Sequence, residues 1–198
     1  VFGLYLLTKI NISPARMILV GIAMLAVLVV APARLTSTSD SHGSAQHRIS
    51  MWGEGIEMVQ QNPVFGIGKG NFLRYTSRLI AHNSAIEIMG ETGLPGLFFW
   101  LGIIYMGFKT LAAVYRESQD AIDRSCILAL GLSVAGHIIS SMFVTLEYET
   151  FYFHLALTAA AGNSLSVKPS FTNRDFWILC SIVAVAFATL KSVVMVYY

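Results

Sequence analysis

Apolar residues in this chain gather into long blocks, and block length is what predicts its elements. Residues 15–33, interrupted by Arg16 and Pro32, are long enough at ~1.5 Å per residue to cross a hydrocarbon core of ~30 Å. Residues 94–111 form a second span. Pro95 falls in its first turn, where a missing N–H costs nothing, and Gly93 can end whatever helix precedes it. Residues 126–146 form a third, with His137 and several serines inside, and residues 176–197 form the last, closed by Tyr197 and Tyr198 as an interfacial aromatic belt. Residues 151–167 are apolar but short, with alanine and glycine at packing positions, and are the weakest of the five expected spans. The opening VFGLYLLTK, residues 1–9, is too short to span and too apolar for a solvated tail, and reads as the end of a truncated helix.

Composition agrees: 55% of the residues are hydrophobic, 12% are charged and mean hydropathy is clearly positive, which marks an integral membrane protein. The expected fold is therefore all-α, a polytopic transmembrane helix bundle with one long external loop containing short amphipathic helices. Lys9 and Arg16, then Lys109, Arg116 and Arg124, then Lys168 and Arg174, fall on one side if the spans alternate. By the positive-inside rule that side is cytoplasmic. The long polar segment 34–92 and the turn 147–150 then face outward, which in a bacterium means the periplasm or exterior. Cys126 and Cys180 lie near the inner ends of their spans and the loop has no cysteine, so disulfides do not stabilise it.

So long a connection between spans is more than a turn, and it holds three of the five histidines. The STSDSHGS run, residues 37–44, reads as a linker. Residues 48–61 place Ile49, Trp52, Ile56 and Val59 at helical spacing, with Glu54 and Glu57 on other faces, and predict an amphipathic helix against the membrane or the bundle. Asn62-Pro63 stops it. Gly66, Gly68 and Gly70 predict a tight turn whose backbone can approach a ligand closely. Ser84-Ala85-Ile86-Glu87 fits a capping box that starts a helix just after His82 and Asn83, so His82 would sit where backbone N–H groups attract anions.

Two nucleotide motifs fail here. A dinucleotide fingerprint needs a Gly-x-Gly-x-x-Gly spacing, and a P-loop needs Ser or Thr after Gly-Lys, whereas Lys69 is followed by Gly70. His42 and His47 lack the further ligands of a metal site and read as solvated loop residues.

Arg48 with Trp52 four residues on, Asn62-Pro63-x-Phe65-Gly66-x-Gly68-x-Gly70-Asn71-Phe72, His82-Asn83, and Glu91-x-Gly93-Leu94-x-Gly96-Leu97 together resemble the O-antigen ligase and polymerase superfamily. The resemblance covers residues 48 to about 99. It implies a membrane glycosyltransferase of GT-C type that takes a glycan from an undecaprenyl-diphosphate carrier. The acceptor would be a hydroxyl on lipid A core, on another glycan or on a protein, with membrane lipids as the surroundings and no nucleic acid partner. Members of the superfamily carry more helices on the N-terminal side, so residues 1–198 are expected to be the C-terminal part of one membrane domain.

By the same resemblance Arg48 would hold the diphosphate, a task that suits forked arginine hydrogen bonding. Lys69, Arg74 and Arg78 are further substrate-binding candidates. His82 would activate the acceptor, since a histidine of unperturbed pKa ~6.5 can take a proton near neutral pH, or it would bind the diphosphate as a cation. Asn83 joins it as a substrate-side candidate or serves the helix start. No cofactor or metal is required, because diphosphate is already a good leaving group.

Plainer readings stand beside these. An arginine opening an interfacial helix commonly anchors to lipid phosphate. Arg74 and Arg78, four apart, fit headgroup contact. Trp52, Phe65 and Phe72 fit interface packing. Glu91 is either a functional carboxylate or a turn residue, and Glu147 and Glu149 suit a solvated turn. His137 and His154, inside apolar spans, are expected to be packed and hydrogen-bonded. A non-catalytic transporter or flippase of the same lipid-linked glycan is the alternative function, although a transporter would sooner place its polar groups near the bilayer midplane.

Overall fold

The computed structural model describes residues 39–77, 79–145 and 149–197. The expected span 15–33, the segment 1–9, Arg78 and Glu147 lie outside them. The described residues form helices α1 (Ser39–Gln61), α2 (Phe72–Tyr75), α3 (Ser84–Glu117), α4 (Ala121–Ser141), α5 (Glu149–Ser164) and α6 (Asn173–Tyr197). The fold is an all-α membrane bundle. Arg48–Tyr198 make up one compact unit, which contains every described candidate residue.

Among the described residues, α3, α4 and α6 are long and apolar enough to cross a membrane. The weakest expected span, 151–167, coincides with α5, whose 16 residues leave it short of the ~30 Å core at ~1.5 Å per residue. It still packs against both α3 and α4. Its Phe151 and Leu155 join Leu97, Trp100, Ile104 and Val134 in the main core. The third span also moves, starting and ending about five residues earlier than apolarity suggested. Asp120 accepts from the Ile122 N–H at 2.7 Å and so starts α4 before its apolar run. The linker expected at 37–44 is helical from Ser39 onward.

Helix α1 buries Ile49, Met51, Ile56, Met58 and Val59, each worth about 1.5–3 kcal/mol when fully removed from water. Ile56, Met58 and Val59 pack in one cluster with Phe72, Ile86 and Met89, so the bundle and not the membrane receives this face. At the opposite end of α3, Thr172 and Asp175 form a reciprocal capping box that opens α6: Asp175 Oδ2 accepts from Thr172 N at 2.7 Å and Thr172 Oγ1 accepts from Asp175 N at 3.3 Å. Lys109 Nζ reaches the same carboxylate at 2.7 Å and Tyr105 Oη donates to it at 2.6 Å, tying α3 to the start of α6.

Candidate functional site

The site is organised by a break in α3. Gly93 has φ 73° and ψ −174°, a region open essentially to glycine alone, so residues 84–92 form a short leading helix and the longer, unbroken run begins at Leu94. The break frees two carbonyls. Pro95 has no N–H to give Glu91, and Leu94 turns its own N–H to the Pro63 carbonyl at 2.9 Å instead of to Gly90. The glycine turn fills both vacancies: Ile67 N–H donates to Gly90 O at 3.0 Å and Gly68 N–H to Glu91 O at 2.8 Å. The close backbone approach expected of the glycine run is therefore an approach to α3. A Cβ on Gly66 would collide with the Gly90 carbonyl and the Glu91 backbone, and one on Gly93 would lie 2.5 Å from Val64 O.

Glu91, only 2% exposed, completes this latch. Its Oε1 accepts from the Phe72 N–H at 3.1 Å and its Oε2 lies 3.1 Å from Lys69 Nζ. The Lys69 side chain is exposed along most of its length, but its ammonium is ion-paired with a buried carboxylate. Phe72 is buried against the cluster beneath, which resolves its packing as part of the protein interior. Arg74 is exposed at the end of α2. That helix ends at Tyr75.

His82 lies on the short segment leading into α3. Its φ is 52°, in the left-handed region that costs an ordinary residue about 1–2 kcal/mol, and such strain persists where surrounding contacts over-determine the backbone. Both flanks are held. On one side Trp52 Nε1 of α1 donates to the Ala81 carbonyl at 2.9 Å. On the other, Asn83 caps α3, its Oδ1 accepting from Ala85 N at 3.0 Å and Ile86 N at 3.2 Å, while its Nδ2 donates to Met142 O at 3.3 Å in the turn after α4.

The capping box predicted at Ser84 is therefore displaced by one residue. With Asn83 as the cap, Glu87 falls beyond box position and instead accepts from Thr145 Oγ1 at 2.8 Å. Asn83 also occupies the amides of residues 85 and 86, and its carbonyl takes the Glu87 N–H at 3.1 Å. The anion-attracting N–H groups expected beside His82 are accordingly engaged within the protein.

Arg48, partly exposed, precedes Trp52 by four residues and shares its helix face. The indole thus joins the Arg48 turn of α1 to the residue before His82. Separation in sequence hid this pairing: Trp52 and Ala81 are 29 residues apart, and only the donor capacity of a half-buried indole hinted at a partner. Glu91 was recognisable as a carboxylate beside a glycine, but its buried acceptor role depends on the fold of residues 69–72.

His137 and His154 are both half-buried. His137 stacks on Phe151 at 5.0 Å between ring centroids, and His154 Nδ1 lies 2.6 Å from the Thr150 carbonyl, which requires the proton on Nδ1. Among the described residues no three His, Cys, Asp or Glu side chains converge as metal ligands would. A groove of about 470 Å³ lined by Phe98, Ile103, Met106, Leu155 and Phe171 runs along the apolar part of α3 and contains none of the candidate residues.

A family model described as O-antigen ligase matches residues 1–101, a range that takes in Arg48, the glycine turn, His82 and the broken start of α3. No curated protein and no solved structure matches the chain.

Proposed function

Because this chain belongs to the O-antigen ligase family, we propose that it carries the reacting groups of a membrane glycosyltransferase, one that moves a glycan from a polyprenyl-diphosphate carrier to an acceptor hydroxyl at the outer face of a bacterial plasma membrane. The observation that carries this reading is the Trp52–Ala81 hydrogen bond, which joins the Arg48 turn to a strained His82. In the proposed reaction the acceptor oxygen attacks the anomeric carbon and the bond from that carbon to the diphosphate oxygen breaks. His82 takes the acceptor proton. Arg48 receives the charge left on the diphosphate, with Lys69, ion-paired to Glu91, and the exposed Arg74 as further cations of the same loop and Asn83 fixing the backbone that carries His82. The acceptor classes are lipid A core, a second glycan or a protein.

Removing a preorganised charge-stabilising donor costs about 10²–10³ in rate, and removing a general base about 10²–10⁴. His82→Asn is the informative variant, since asparagine tolerates the left-handed backbone while lacking the imidazole. In vesicles containing the full chain, a lipid-linked glycan and an acceptor, with chelator and without ATP, His82→Asn and Arg48→Ala are expected to lose at least ~100-fold in product formation at unchanged membrane abundance. Product at the wild-type rate in both variants refutes the assignment. Movement of the lipid-linked glycan across the bilayer with no acceptor ever modified would identify a transporter instead.

A further inference from the structure

We propose that Val64 and Phe65, the tip of the glycine turn, insert into the outer lipid interface and set the depth at which the candidate site works. Phe65 is 83% exposed and Val64 54%, although both are strongly apolar. Their level relative to the membrane follows from backbone hydrogen bonds on either side of them. Pro63 O is bonded to Leu94 N, and Ile67 N to Gly90 O, so residues 63–67 run beside one turn of α3. That turn holds the Gly93 break, from which α3, a helix long and apolar enough to cross the bilayer, runs on unbroken. The Gly66 N–H to Asn62 carbonyl bond at 2.9 Å closes the bow, leaving Val64 and Phe65 at its outer edge.

The shoulders of the bow are of opposite character to its tip. Gln60, Gln61 and Lys69 are exposed and polar or charged. An apolar tip flanked by polar groups, at the level where a span begins, matches the boundary between acyl chains and headgroups. The occupant is the lipid bilayer itself, because the tip is bonded to the first residue of a membrane-crossing segment. On the reading proposed above, the diphosphate of a lipid-linked donor is held at headgroup level by its own hydrocarbon tail. A loop moored at that level keeps Lys69, and through the latch on α3 also His82, at the donor's depth.

The test is a depth measurement that needs no glycan transfer. The full chain, with Cys126→Ser and Cys180→Ser, is reconstituted in phosphatidylcholine–phosphatidylglycerol vesicles and spin-labelled at Phe65→Cys or, separately, Val64→Cys. Gln60→Cys serves as the reference outside the bow, and Ile103→Cys, 53% exposed within the span, as the deep reference. Insertion predicts that the ratio of oxygen to nickel-chelate accessibility at either tip position exceeds the Gln60 ratio several-fold and lies below that at Ile103. A nickel-favoured label like that at Gln60 places the tip in water and overturns the proposal. Low accessibility to both reagents shows a protein cover and overturns it equally. A moored tip in a protein whose His82→Asn variant keeps full transfer would defeat the catalytic reading alone.

Discussion

Replacing Gly93 by alanine tests the latch that holds the glycine turn on α3. At φ 73° and ψ −174° a side chain costs about 1–3 kcal/mol in backbone strain. The new Cβ would also lie 2.5 Å from Val64 O, 2.6 Å from Val64 C and 2.7 Å from Pro63 O, all backbone atoms that cannot rotate aside. Residues 63–64 must then leave the helix, and the Leu94 N–H to Pro63 bond goes with them. An unsatisfied buried N–H costs about 1–3 kcal/mol, so the sum is about 2–6 kcal/mol, more if the Ile67 and Gly68 bonds follow. For a chain of this size that corresponds to a melting temperature lower by roughly 10 °C, read by tryptophan fluorescence in detergent. Two other glycines calibrate the result. Gly70→Ala meets nothing within 4 Å but has φ 80°, so it should cost about 1–2 kcal/mol. Gly136→Ala, also in open space but within a regular helix, should gain about 1 kcal/mol. If Gly93→Ala melts no lower than Gly70→Ala, the turn is not latched and the account of the break is wrong.

Two further outcomes follow from the same contacts. Trp52→Phe keeps the ring packing and removes the Nε1–H donor to Ala81, so glycan transfer should fall about tenfold in kcat with little change in KM for the donor, a loss equal to the ~1.4 kcal/mol typical of one hydrogen bond; steady-state kinetics that show an unchanged kcat would remove the indole from the site. Asp175→Asn should lower the melting temperature, because it deprives Lys109 of its charge partner and weakens the cap of α6, and adding Lys109→Met should recover part of the loss, as expected when an uncompensated cation is removed. A double variant that melts below Asp175→Asn would show that Lys109 contributes mainly through its packing.

What was legible along the chain was local. Membrane-crossing blocks can be read directly because a bilayer demands contiguous apolarity, and α3, α4 and α6 appeared where such blocks were found, with ends adjusted by caps such as Asp120. Gly93 and Pro95 announced a helix break, since one permits a backbone that other residues avoid and the other withholds an N–H. The order of arginine, glycine turn, His-Asn and Glu-x-Gly-Leu was enough to suggest the family that residues 1–101 match. The 151–167 block, already short in the sequence, is the 16-residue α5.

By itself, then, the sequence determined the class of the protein, the approximate position of the three spans among the described residues and the residues worth suspecting, all consequences of neighbours along the chain. Tertiary structure alone decided partners. It turned the glycine run onto α3 instead of leaving it open to a ligand, made Asn83 the cap by offering Met142 to its other end 59 residues away, and joined Trp52 to Ala81 beside His82. Those choices were invisible in advance because a buried polar group must be satisfied by whatever packing brings within about 3 Å, and packing is a property of the folded chain.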